Sequence, residues 1–117
     1  MGTIKPMSPQ IYNEKRIALD KNGVINKINK ALEDYASNPT NIFVEITLDY
    51  DYPMITRNEV AREFIKAGWL KVYHRSSSDN GESSIFTEFI FLTEETCDKW
   101  EKSHYKKAYK CITENDL

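Results

Sequence analysis

Hydrophobic and polar positions change period several times along this chain, and each change marks an element. From residue 42 the run IFVEITL alternates, with Ile42, Val44, Ile46 and Leu48 on one side and Phe43, Glu45 and Thr47 on the other, the period of a half-buried strand. The period then lengthens: Val60, Ala61, Phe64 and Ile65 form a helical stripe, Thr56 and Glu59 stand at capping-box spacing before it, and Gly68 closes it. Alternation returns over residues 69–75 (WLKVYHR) and 85–92 (IFTEFIFL), joined by the polar stretch SSSDNGESS with a turn at Asp79–Gly81. Residues 42–92 therefore predict a βαββ unit.

The flanks predict helices. Val24, Ile25, Ile28, Leu32 and Tyr35 recur at three- and four-residue spacing and give an amphipathic helix from Asn22 that stops before Asn38 and Pro39. Thr93 caps a last, long helix on which Cys97, Trp100, His104, Ala108 and Cys111 share a side, with Leu92 and Cys97 as a hydrophobic staple. Acidic residues gather in its first turns and lysines in its later ones, which complements the helix dipole without any ligand. Residues 10–19 fit two patterns: Ile11, Ile17 and Leu19 share a strand face, while Ser8 as N-cap, Pro9, Ile11, Tyr12, Lys15 and Leu19 suit a helix. The turn-like DKNG at positions 20–23 tips this segment toward an edge strand. Residues 1–9, with Pro6 and Pro9, read as an irregular arm and residues 113–117 as a frayed tail. The fold class expected is α+β, a single domain over residues 1–117. It is a two-layer sandwich in which a small, mainly antiparallel sheet with a βαββ core is packed on helices, with a long C-terminal helix.

Length and charge narrow the function classes. A chain of 117 residues has room for one core. Sixteen basic against eighteen acidic residues leave a net charge of −2, which is not the footprint of a strongly basic nucleic-acid binder. No apolar run approaches the roughly 18 residues of a membrane span, so a cytoplasmic location is expected, with Cys97 and Cys111 as free thiols. On one intact helix these cysteines would lie about 21 Å apart and could not bridge.

Catalytic and metal signatures are weak. Cys97, His104 and Cys111 are spaced by seven positions, about 10 Å per step on a helix, whereas neighbouring helical zinc ligands sit three or four residues apart. Asp49 and Asp51 lack further carboxylates at calcium-loop spacing. There is no G-x-S-x-G elbow, no G-x-G-x-x-G and no Walker-type loop. The expectation is no metal, no cofactor and no catalysis. A winged-helix reading fails because Gly68 leads directly into strand residues, leaving no recognition helix.

The remaining feature is the second face of the sheet. If Val44, Ile46, Leu48, Leu70, Val72, Phe89 and Phe91 face the helices, then Phe43, Lys71, Tyr73, Arg75, Phe86, Glu88 and Ile90 face away. Of these, Phe43, Lys71, Tyr73, Arg75, Phe86 and Glu88 are the candidate binding residues, with Ser76, Ser77, Ser78, Asp79, Asn80 and Gly81 as a mobile hairpin beside them. Such a face is covered by the N-terminal arm or the last helix, pairs with a protein partner or a second copy, or stacks single-stranded RNA or DNA through Tyr73, Phe86, Lys71 and Arg75. Glu45 and Glu88, placed where phosphates would run, favour cover or a protein partner. In general texture this short chain, rich in Lys, Asn and Tyr and lacking catalytic motifs, is similar to small accessory proteins of large tailed phages. That resemblance implies a protein that binds and inhibits one host protein.

Overall fold

The computed structural model describes residues 4–38, 42–104 and 106–117, apart from the side chains of Ile17, Ala18 and Asn80. Three helices, α1 (Pro9–Ala36), α2 (Met54–Lys66) and α3 (Glu94–Ser103), surround a sheet of four strands, β1 (Val44–Leu48), β2 (Lys71–Ser76), β3 (Thr87–Leu92) and β4 (Lys110–Thr113). The strand order is β1-β3-β2-β4 and every pairing is antiparallel, so the α+β class and the antiparallel sheet are as the alternation predicts.

One sheet face carries Val44, Ile46, Val72, Phe89, Phe91 and Ile112, closed by Val24 and Ile28 of α1 and Val60, Ala61, Phe64 and Ile65 of α2. Phe91 meets Phe64 and Trp69 at ring separations of 4.9 and 5.5 Å. Leu70, expected on this face, is instead exposed. The other face holds Tyr73, Ile90 and Leu92 under Cys97 and Trp100 of α3. Helices thus cover both faces, in place of the two-layer arrangement, because Ile90 and Leu92 of β3 and the Tyr73 ring of β2 give the second face an apolar centre that Cys97 and Trp100 bury.

The segment read as an edge strand is part of α1, a continuous helix of 28 residues and the longest element. Its start follows the competing pattern: Ser8 caps it, its Oγ accepting from Ile11 N at 3.2 Å, and Pro9 occupies the first turn. DKNG does not interrupt it. Gly23 is exposed with open space around its Cα. A helix-interior glycine costs only about 1 kcal/mol, less than burial of Val24 and Ile28 on either side of the next turn returns. Pro39, the expected stop signal, lies outside the described residues, as do residues 1–3 of the expected arm; residues 4–8 are irregular and exposed.

In α2 the capping box does not form. The helix begins at Met54 with Pro53 as N-cap, Thr56 is buried within its first turn, and Glu59 pairs with Arg62 at 2.8 Å. Gly68 closes it as read, with φ +117° and the Trp69 N–H donating to the Phe64 carbonyl at 3.2 Å. Thr93 caps α3 through a reciprocal box with Thr96.

The long C-terminal helix is the largest correction. α3 stops at Ser103, and His104 is extended, its ring stacked 4.6 Å from Trp100. The chain then returns as β4, pairing Ile112 with Val72 and Cys111 with Tyr73. A helix would have left the β2 edge unpaired, whereas the strand satisfies it and buries Ile112 on the α2 side. Nor does the tail fray: Thr113 caps a 3-10 turn over Glu114–Asp116, and Arg62 donates to the Asp116 carbonyl at 3.2 Å.

Candidate functional site

The period-two pattern places Lys71, Tyr73 and Arg75 of β2 and Glu88 of β3 on the second face, Arg75 directly across from Glu88. There they fall into two polar groups. Glu101 of α3 collects the first: the Tyr73 hydroxyl donates to it, Lys71 Nζ lies at 3.1 Å, and Cys97 Sγ donates at 3.3 Å. The hydrogen bond from Tyr73, then those from Lys71 and Cys97, hold the Glu101 carboxyl down to about 2 against its burial. The same bond, from the other side, raises the Lys71 ammonium. Burial first, and the Glu101 carboxylate second, push the Tyr73 phenol up. Burial also pushes both the Cys97 and Cys111 thiols up, so neither has the thiolate character of a nucleophile.

Arg75 organises the second group. Its guanidinium lies 5.1 Å from the centroids of both Phe86 and Tyr109, while Nε donates to Glu88 at 3.0 Å and Nη1 reaches Glu82 at 3.4 Å. The Tyr109 hydroxyl donates to Glu88 at 2.7 Å. Burial disfavours the Arg75 charge, and the Glu88 hydrogen bond overrides it and raises its pKa. Phe43 is half-buried, edge-on to His104 at 5.9 Å. All six candidate residues are therefore brought to one side of the sheet, but not as an open platform. Tyr73 is 5% exposed beneath Trp100, at 4.6 Å, and both basic side chains already face carboxylates.

The hairpin is a folded turn. Residues Ser77–Asn80 form a 3-10 helix ended by Gly81 in the left-handed region at φ +65°, and Ser76 and Ser77 are buried. Ser78 Oγ donates to Asp51 at 3.1 Å. Asp79 receives both terminal nitrogens of Arg57, at 2.8 and 3.1 Å, and the Ser76 N–H at 3.1 Å. Burial works against the Asp79 carboxylate, but the Arg57 contact prevails and keeps its pKa low. The Asn80 side chain lies outside the described residues.

This Arg57–Asp79 cluster was missed from sequence. Its signal was Arg57 itself, which stands three, four and seven residues before Val60, Ala61 and Phe64, in the middle of the apolar stripe. Arg57 is 1% exposed, and beside it His74 is fully buried, its Nε2 2.8 Å from Asn58 Oδ1. Neither His74 Nδ1 nor Arg57 Nε has a hydrogen-bond partner among the described residues. His74 has no surface open to solvent, and its Nε2 is engaged by Asn58. Among the described residues no three His, Cys, Asp or Glu side chains are grouped to hold a metal ion.

Burial, and next the neighbouring Arg57 charge, lower the His74 imidazole to about 4. The unfolded chain then binds a proton below about 6.5 that the folded chain refuses until about 4. Stability should be flat above pH 6.5 and fall as the pH drops toward 4, by about 3 kcal/mol at most. Asp79 and Glu101, with lowered pKa values, add their losses only further into acid. Urea denaturation at pH 7, 6 and 5 reads this window. A His74→Gln protein should show a much flatter profile, and an unchanged slope in that variant would refute the assignment.

Exposed apolar side chains concentrate elsewhere. Residues 4–16 are all exposed, and Ile4, Met7, Ile11, Tyr12 and Leu19 stand out in this region. Val24, Ile28, Ala31, Leu32 and Tyr35 fix the inner side of α1. At 100° per residue Tyr12 and Leu19 point to the opposite side, with Ile11 flanking them. The molecule is 61 Å long against 31 and 28 Å in its other dimensions. Between α1 and the start of α2 runs a cleft of about 450 Å³ lined by Asn13, Arg16, Asp20, Tyr50, Pro53, Ile55 and Thr56. Among the described residues no helix is long and apolar enough to cross a membrane. No protein-family model, no curated protein and no solved structure matches the chain.

Proposed function

We propose that this chain is a non-catalytic binding module that acts by protein–protein contact, through the outer side of the first half of α1. The observation that carries the reading is the reversal of apolar sides within one helix: Val24 and Ile28 turn inward and are buried, whereas Tyr12 and Leu19 turn outward and are exposed. A helix end without tertiary contacts gains little from propensity alone, so an apolar stripe on it is stabilised chiefly by whatever covers it. A cytoplasmic setting, which keeps Cys97 and Cys111 reduced, belongs to the same proposal, as does an accessory or inhibitory role toward one target. The oligonucleotide alternative has less support, since Tyr73 is buried and Lys71 and Arg75 are paired with carboxylates.

Tyr12→Glu and Leu19→Glu proteins test the reading. Both positions lie outside the core, so thermal stability should be nearly unchanged while every association of the wild-type protein, with itself or another protein, is lost. Association indifferent to both substitutions would overturn it. A labelled single-stranded oligonucleotide should show no binding even at low salt; affinity falling steeply with salt would favour the alternative.

A further inference from the structure

The start of α2 is left without a cap by its own sequence. Pro53, the N-cap, has no side-chain acceptor, and no acidic residue stands in the first turn. The N–H groups of Met54, Ile55 and Thr56 precede the first intrahelical bond, from Arg57 N to the Pro53 carbonyl at 3.1 Å, and receive no capping hydrogen bond. The positive end of the helix dipole is therefore uncompensated. A second, independent observation lies beside it. Thr56 is 1% exposed, yet its Oγ1 has no hydrogen-bond partner among the described residues. A buried hydroxyl left unpaired is destabilising, and Thr56 lines the cleft of about 450 Å³ between α1 and α2.

The facing wall of that cleft supplies a cation. Asn13, Arg16 and Asp20 of α1 line it, and at 100° per residue they form the strip of the helix between the outward Tyr12 and Leu19 and the inward Val24 and Ile28. The other three arginines of the chain are each paired with a carboxylate, whereas Arg16 makes no ion pair among the described residues. We infer that the cleft binds a phosphate-bearing small molecule. The Arg16 guanidinium and the uncapped N-terminus of α2 share the phosphate, with the Thr56 hydroxyl as a further donor; a planar fork and backbone N–H groups are the donors that suit phosphate oxygens. Tyr50 and Ile55, each 55% exposed, give the organic remainder an apolar surface at the same cleft. Asp20 is the one carboxylate in the lining; it opposes an anion and sets a modest affinity. The function proposed above uses the neighbouring side of α1, so the two readings stand or fall separately.

Phenyl phosphate titrated into isotope-labelled full chain should shift the Ile55 and Thr56 amide resonances to saturation at millimolar concentration or below, and inorganic phosphate should shift the same resonances with weaker affinity. Arg16→Gln, at an exposed position, should weaken binding by about tenfold or more, as loss of a charge-assisted hydrogen-bond pair does, and Asp20→Asn should strengthen it. Thr56→Val has a double readout: affinity should fall, while the urea midpoint of the unliganded protein stays level or rises because the orphaned hydroxyl is gone. Lys30→Gln, elsewhere on α1, should change nothing. No shift at Ile55 and Thr56 would overturn the site. Shifts of equal size and affinity in the wild type, Arg16→Gln and Thr56→Val would mean an adventitious ion only, and would overturn it as well.

Discussion

Replacing Asp79 with alanine is expected to destabilise the fold by about 3–5 kcal/mol, as breaking a buried ion pair from one side does. Arg57 is 1% exposed and its two terminal nitrogens are both spent on Asp79. Without that carboxylate a guanidinium would remain in the interior with its charge uncompensated, and the Ser76 N–H would lose its acceptor as well. The sharper form of the prediction is an ordering. A double variant carrying Arg57→Leu and Asp79→Ala should be more stable than Asp79→Ala alone, because the stranded charge is gone. Equilibrium urea unfolding of the three proteins decides it: a single-variant loss below about 1 kcal/mol, the level of an exposed pair, or a double variant weaker than the single, would show that the pair does not anchor the turn.

Trp100→Ala should cost a similar amount, about 3–5 kcal/mol. Trp100 is fully buried and covers Tyr73, with Tyr109 edge-on at 5.3 Å and His104 stacked on its other side. Its indole N–H makes no hydrogen bond among the described residues, so the packing of the ring, not a polar contact, carries the stabilisation. Trp100→Phe should therefore lose considerably less than alanine does. Removal of the ring also opens the second face, and Cys97, buried beside it, should then react with a thiol reagent in the folded protein. A Cys97 that stays protected in Trp100→Ala, with stability little changed, would mean that α3 is not held by this residue.

The parts of the fold legible in the sequence are those whose cause is local. The inward stripe of α2, the alternation of β2 and β3, the left-handed Gly68 and the Thr93 cap each follow from periodicity or backbone chemistry within a dozen residues. The misreadings share a different cause. DKNG reads as a turn in isolation, and only the burial of Val24 and Ile28 against α2 carries the helix through it. β4 is four residues long and follows a lysine-rich run, and it is a strand because β2, some forty positions earlier, presents an edge to it. The candidate residues of the second face share one side, as the alternation places them, but their engagement by Glu101 and Trp100 depends on where α3 lands. Arg57 was visible as a charge out of place, and its partner in the hairpin was not.

The position of β4 has a consequence for how the chain comes together in time. β2 and β3 are joined by a short hairpin and pair locally, whereas the outer side of β2 is completed by Lys110–Thr113, some forty positions further on. Until that distant pairing forms, a folding chain carries an incomplete sheet with Tyr73 uncovered by Tyr109, and its β2 edge is open to pairing with any extended segment nearby. β4 therefore acts as a late latch on the sheet, and loss of residues 110–113 should leave an aggregation-prone edge.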